Sequence, residues 1–281
     1  MRENKEKVNS KEVGLEIGLV ISRFLYKTEH LHYGYWPDDL AIIPENVGKA
    51  QDLHSKLIMD TIPEDVETIL DIGSGSGGLA EKLIDKGYQV HCVSPSEYLA
   101  DAIEEKLGDK VKVYRSTCQD LQLEQKYDLT IFSESFQYVP MDRGFEKCIE
   151  ALNPGRHILI CDFFRQPGTG RRPLGGGHGW DWFHDVLKEY PLTEVVNKDI
   201  TKETARTMDL LNDMLNDFAL PISSLSARYM DSNYPRLMKV FRWAFRKRLT
   251  KINEIYFSGH LTSEMFNRMK TYRLLLYKLS S

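Results

Sequence analysis

Between residues 68 and 163 the chain switches repeatedly between two hydrophobic periods. Short apolar runs bounded by turn residues recur at 68–72, 89–93, 111–114, 128–132 and 157–163, and the stretches between them place apolar residues at helical spacing. Residues 79–86 predict a helix that stops at Gly87, 97–107 a second, and 142–152 a third, closed by a turn at Asn153, Pro154 and Gly155. Strands alternating with helices imply a parallel sheet covered on both faces, because parallel neighbours require a crossover connection. The expected fold class is therefore α/β: a Rossmann-like, doubly wound, mainly parallel sheet.

After the fifth strand the pattern changes. Residues 166–179 carry six glycines and two prolines and predict a mobile loop, which runs into Trp180, Trp182 and Phe183. A strand is expected at 193–200, helices over 202–218 and 233–256, and a last strand at 271–278. Residues 13–24 also show helical spacing and predict a helix packed over the domain, with an equal claim to cover a ligand. The chain so divides into an N-terminal helical cover segment (1–60), a Rossmann-like core (61–200), a helical cap inserted before the last strand (201–260), and a return to the core (261–281). The first twelve residues are too polar to bury and are expected to stay outside the fold.

Composition narrows the function. Apolar residues at 42% and charged residues at 28% describe a folded globular protein. A formal charge of −4 offers no global field for nucleic acid, so no nucleic-acid partner is expected. Cys92, Cys118, Cys148 and Cys161 are scattered, without the paired spacing of a zinc or redox motif, which predicts no metal and a reduced, cytoplasmic setting. Neither an export signal nor an apolar stretch of membrane-spanning length is expected. Residues 236–252 break the acidic balance. Seven basic side chains accompany Leu237, Phe241, Phe245, Leu249 and Ile252 on one face, a pattern that fits either a helix packed on the core with solvated charges or peripheral contact with an anionic membrane.

The strongest local signal is TILDIGSGSGGLAEKL at 68–83, in which a strand ends at Asp71 and a helix begins near Gly78. Gly73, Gly75, Gly77 and Gly78 let a ligand approach the backbone, and the helix start offers unpaired N–H groups to ligand oxygens. Gly73, Gly75 and Gly78 also satisfy the dinucleotide pattern G-x-G-x-x-G, so glycines alone leave two enzyme classes open. Asp71 separates them: a carboxylate two residues before the first glycine can hold the ammonium of an amino-acid-like ligand, and would sit badly beside a pyrophosphate.

From residue 32 to residue 163 the chain resembles the class I S-adenosylmethionine-dependent methyltransferases. Residues 71–77 look like their D-x-G-x-G-x-G loop, Ser94 and Ser96 stand where the family places its ribose contact, Gln119 and Asp120 resemble the adenine-flanking segment, and Ser133 with Glu134 resembles the exit of the fourth strand. The resemblance implies S-adenosylmethionine as cofactor, bound by Tyr33, Asp71, Gly73, Ser74, Gly75, Gly77, Ser94, Ser96, Gln119, Asp120 and Ser133. The family's usual acid at position 94 is replaced by serine, which puts the ribose contact on a hydroxyl or on Glu97 reaching back. The piece HYGYW at 32–36 is similar to the lead-in of methyltransferases acting on sterols, acyl chains, quinols and small amines, with Tyr33 facing the cofactor. The helical block before the last strand is similar to that of the cyclopropane-fatty-acid synthase and sterol methyltransferase branch. Candidate catalytic groups are Tyr33, Glu134 and His178, and the acceptor expected is a small, hydrophobic, lipid-like or isoprenoid-like molecule. A small amine acceptor and a non-catalytic cofactor-binding module are the alternatives.

Overall fold

The computed structural model describes residues 10–170 and 173–280, with side chains from residue 13 onward; the polar start of the chain lies largely outside the described residues. Helix α1 (Ser10–Ile21) widens into a π turn (Ser22–Tyr26) that ends at Lys27 with φ 53°, and an extended strap leads to α2 (Val47–Met59). Then follow β1 (Thr68–Ile72), α3 (Gly78–Asp85), β2 (Gln89–Val93), α4 (Glu97–Leu107), β3 (Lys112–Tyr114), β4 (Tyr127–Ser133), α5 (Met141–Ala151) and β5 (Leu152–Arg165). The C-terminal third adds α6 (Trp180–Leu187), β6 (Leu192–Asp199), α7 (Thr201–Asp213) continued by a π turn (Met214–Ala219), α8 (Leu220–Asn233), α9 (Pro235–Tyr256), α10 (Ser263–Met269) and β7 (Lys270–Leu279).

The seven strands form one sheet in the order β3-β2-β1-β4-β5-β7-β6, parallel except for β7, which runs antiparallel to both neighbours. The expected doubly wound sheet is what the chain builds, with helices α7 to α10 entering before the last strand. Two hydrophobic layers flank it. One centres on Ile69, Leu129, Leu159 and Tyr272, the other on Leu70, Phe132, Phe145 and Phe183, so successive residues of β1 supply opposite faces, as the two-residue strand period requires. Each layer buries its aliphatic and aromatic side chains fully, which supplies the main driving force for this half of the molecule.

Two local expectations are corrected. The turn expected at 153–155 is a bulge inside a longer strand: Tyr127 pairs with Leu152 and Leu129 with His157, so β5 carries three extra residues there, with Gly155 at φ 74°. The glycine-rich segment 166–179 is tied down in its described part. Lys270, buried beneath it, donates to the carbonyls of Gly175 (2.9 Å) and Gly176 (2.6 Å), Leu174 enters the core, and Arg165 N–H donates to the His178 carbonyl. Gly176 and Gly177 adopt positive φ and press against Phe163, an approach that side chains would block.

Candidate active site

The strand order reverses direction between β1 and β4, and the crevice at the carboxyl ends of these strands is where such sheets take ligands. A cleft of about 300 Å³ opens there. Its floor is the turn after β1. Gly73 sits at φ 80°, and a Cβ on it would fall 2.3 Å from the Ser135 Cβ at the exit of β4, so only glycine lets the two strand ends meet. Gly75, at φ 57°, faces open space, which is the opposite requirement: its missing side chain leaves room in the cleft. Gly77 caps α3 at φ 81°.

The N-terminal strap lies across this turn. Ser76 Oγ donates to the Glu29 carbonyl, and the His30 ring packs so closely on Gly78 that a Cβ there would lie 2.7 Å away. Leu15 of α1, with His30, Leu31 and His32, reaches the cleft, so the cover segment contributes to its wall.

Asp71 is 1% exposed, and its Oδ2 has no hydrogen-bond partner among the described residues. Burial pushes its carboxyl up to about 7. A buried carboxylate oxygen with nothing to bond, aimed at a cleft floored by glycine, is what the ammonium end of an amino-acid-like ligand would satisfy. Ser133 Oγ is a second buried polar atom left without a partner at the same edge. These residues fit the methionine half of S-adenosylmethionine.

Along β2 the match is by hydroxyl. Ser94 lines the cleft and exchanges hydrogen bonds with the Ser96 backbone, and Ser96 caps α4 through Leu99 N–H (3.3 Å). Glu97 does not reach back: its carboxylate is held 2.6 Å from Arg115, which also gathers Asp101 and Glu104. Gln119 lines the cleft while Asp120 turns away to accept from the Thr117 hydroxyl at 2.6 Å.

Glu134 stands at the exit of β4 with φ 55°, a left-handed conformation that a residue with a side chain adopts at a cost of about 1–3 kcal/mol. The Tyr33 N–H (2.6 Å) and the Tyr272 hydroxyl (2.7 Å) both donate to its Oε1. Burial pushes its carboxyl up to about 8, against the pull of those two bonds. Since the Tyr272 hydroxyl donates to Glu134, it accepts from His54 Nε2 (3.0 Å), which leaves His54 Nδ1 buried without a partner. His32, His54 and Glu134 each place one ligand atom within 4.8 Å of the others, a grouping that the cysteine spacings gave no hint of. The His32 ring is stacked on His54, 4.5 Å away, and its Nδ1 faces the Tyr33 carbonyl at 2.8 Å, so that nitrogen carries a proton. Glu134, Tyr272 and His54 form a buried hydrogen-bond chain with His32 beside it.

The structure brings Asp71, Gly73, Ser74, Gly75, Ser94, Ser96, Gln119, Ser133 and Glu134 together around one cleft. Four predicted residues are not among its lining: Gly77 caps α3 and Asp120 turns to Thr117, and two further placements differ from expectation. Tyr33 does not turn its ring to the cleft: the ring packs among Phe163, Phe266 and Tyr272, and its hydroxyl contacts Met208 Sδ at 3.3 Å. His178 is not in the cleft either. Its Nε2 lies 3.1 Å and 3.0 Å from the carbonyls of Phe136 and Val139, so that nitrogen carries a proton and ties the glycine-rich segment to the chain after β4. Sequence reasoning missed His32, His54 and Tyr272, which come together only in three dimensions.

Residues 69–155 match the methyltransferase domain model. An uncharacterised methyltransferase of Geobacillus sp. (strain WCH70) is 28% identical over 148 residues, covering 50% of this chain and 70% of that protein. Among solved structures, geranyl diphosphate C-methyltransferase from Streptomyces coelicolor A3(2), crystallised with Mg²⁺, geranyl diphosphate and S-adenosyl-L-homocysteine, aligns with TM-score 0.66 at 15% identity, covering 96% of this chain and 98% of its own. The [4+2]-cyclase SpnF aligns with TM-score 0.70 at 15% identity, covering 96% and 93%. A cyclase on the same fold means that shape alone does not name the reaction; the domain match and the sequence relatives do. The chain is an S-adenosylmethionine-dependent methyltransferase of the class I fold.

Proposed function

We propose that the enzyme methylates a small hydrophobic acceptor at a position that gives up a proton, and that Glu134 takes that proton. The observation that carries the reading is the placement of Glu134: a strained, half-buried carboxylate on the same cleft as Asp71, anchored through one oxygen by Tyr33 and Tyr272. Apolar Leu15, Leu31 and Val139, with Tyr138 exposed at the lip, share the wall with it, which suits an acceptor that is mostly hydrocarbon.

Asp71 and the backbone of the Gly73 to Gly75 turn hold the methionine end of the cofactor, and the hydroxyl of Ser94 takes the ribose side. Bound there, S-adenosylmethionine supplies an electrophilic methyl group on a sulfonium. The enclosed wall excludes water and fixes the approach of the acceptor, so positioning does much of the work. With its carboxyl near 8, Glu134 is half ionised in mildly alkaline solution, a proton affinity close to that of the medium and so suited to accepting a proton in the transition state. Tyr272 and His54 orient it.

Geranyl diphosphate is the compound bound in that structural neighbour, and it makes isoprenoid compounds a first acceptor panel beside acyl and quinol compounds. Glu134→Gln keeps shape and removes the base. With an acceptor found by label transfer, turnover should fall about 100-fold or more while cofactor affinity stays within about twofold. Unchanged turnover would contradict the assignment.

A further inference from the structure

Helix α9 is the longest helix among the described residues. None of its 22 residues is buried, and from Lys239 to Tyr256 every side chain is exposed. Helix α8 buries none either, so the two form a hairpin that leaves an apolar surface uncovered by the rest of the described chain.

On α9, Leu237, Phe241, Phe245, Leu249, Ile252, Ile255 and Tyr256 fall within roughly 120° of the helix circumference at 3.6 residues per turn. The Phe241 and Phe245 rings lie 4.8 Å apart on that stripe. Arg236, Lys239, Arg246 and Lys247 occupy the opposite side, Arg242 and Lys251 flank the stripe, and Arg248 falls within its edge. Seven basic residues against Glu254 alone give the helix six net positive charges in a chain of formal charge −4, leaving ten net negative charges elsewhere. Of the basic side chains of α9, only Arg242 forms an ion pair among the described residues, with Asp231 of α8. Trp243 stands 73% exposed amid the basic side.

We infer that α9 is a membrane-surface helix that seats the enzyme on bilayers rich in anionic lipid. Charge decides among occupants. A second copy pairing through the apolar stripe would cover it but leave the positive charges unanswered, and nucleic acid would satisfy the charges while leaving the apolar stripe in water. An anionic bilayer surface meets both needs: headgroups face the Lys and Arg side chains, while Phe241, Phe245 and Ile252 enter the boundary with the acyl chains. No helix of the described chain is long and apolar enough to cross a membrane, so this contact lies on the surface. It stands independently of the acceptor assignment.

The test is co-sedimentation of the full-length protein with vesicles of phosphatidylcholine alone and with about 30% phosphatidylglycerol. Binding should require the anionic lipid and weaken about tenfold or more as NaCl rises from about 50 to 500 mM, because the Debye length shrinks from over 10 Å to about 4 Å. The triple variant Arg246→Gln, Lys247→Gln, Arg248→Gln should bind about 100-fold more weakly. Phe241→Ser with Phe245→Ser should lose binding with S-adenosylmethionine affinity intact, which shows the core still folded. Equal binding to neutral vesicles, no binding to anionic ones, or binding unchanged in both variants would overturn the inference. So would a dimer in which α9 is protected from hydrogen exchange and vesicles are ignored, which would assign the face to a second copy.

Discussion

Helices α5 and α9 are both amphipathic, and the chain uses them in opposite ways. In α5, Met141, Phe145 and Cys148 disappear into the sheet layer beside Phe183, whereas no residue of the apolar stripe of α9 is buried among the described residues. The difference lies outside the helices. α5 connects two parallel strands and is forced back over the sheet, while α9 sits in an insertion between antiparallel neighbours β6 and β7 that needs no crossover. Periodicity identifies which face is apolar, and topology decides whether the fold itself covers it. The core and cleft therefore carry stability and cofactor binding, and the hairpin carries an external contact.

That division predicts a ranked set of outcomes. The largest is the loss of turnover in Glu134→Gln, about 100-fold or more, with folding and cofactor affinity retained; a comparable loss on truncating α9 in a soluble assay would break the division. Next, Asp71→Asn should weaken S-adenosylmethionine binding about 10- to 100-fold, the worth of a charge-assisted hydrogen bond in a buried site.

A pH effect of about tenfold follows. Burial holds the Asp71 carboxyl near 7, and only the ionised form attracts an ammonium, so affinity should fall about tenfold from pH 8 to pH 6. Asp71→Asn should flatten that profile. The sign for stability is opposite in the ligand-free protein. The folded carboxyls of Asp71 and Glu134 titrate above their ordinary range, so their contribution is complete below about 4 and is lost as pH rises through about 7 to 8. A urea midpoint higher at pH 6 than at pH 8.5 without ligand, with the gap narrowed by S-adenosylmethionine, is the expected pattern.

Among glycine variants, Gly73→Ala should cost about 2 kcal/mol or more, since it adds a collision with Ser135 to the strain of φ 80°, and Gly75→Ala about 1 kcal/mol, since only strain applies. Cofactor affinity should suffer in both. The smallest effect is expected from Phe241→Ser: a melting temperature within about 1 °C of the parent, because the ring is exposed in both states.

Much of the core was readable from local pattern. Strands β1 and β2 and helix α4 have the limits that apolar runs and the Ser96 cap imply, and the glycine turn with Asp71 lies where the cleft opens. What was not readable depends on partners far along the chain. Residues 166–179 look free by composition, and nothing near them announces that Lys270, some 95 residues on, will hold their carbonyls. Pro154 and Gly155 signal a break in regular pairing, which a bulge satisfies as well as a turn. Tyr33 reaches Glu134 through its backbone N–H and not through its ring, which no side-chain pattern reveals. The chain from Glu134 through Tyr272 to His54 joins three elements and leaves no local trace.

The central claim is that the turn after β1 binds S-adenosylmethionine through the buried carboxylate of Asp71. Calorimetric titration of the parent and Asp71→Asn with S-adenosylmethionine, S-adenosylhomocysteine and NAD tests it most directly. The account predicts micromolar binding of the first two to the parent, binding weakened at least tenfold in the variant, and no heat with NAD. Binding of NAD alone, or equal S-adenosylmethionine affinity in both proteins, would contradict it.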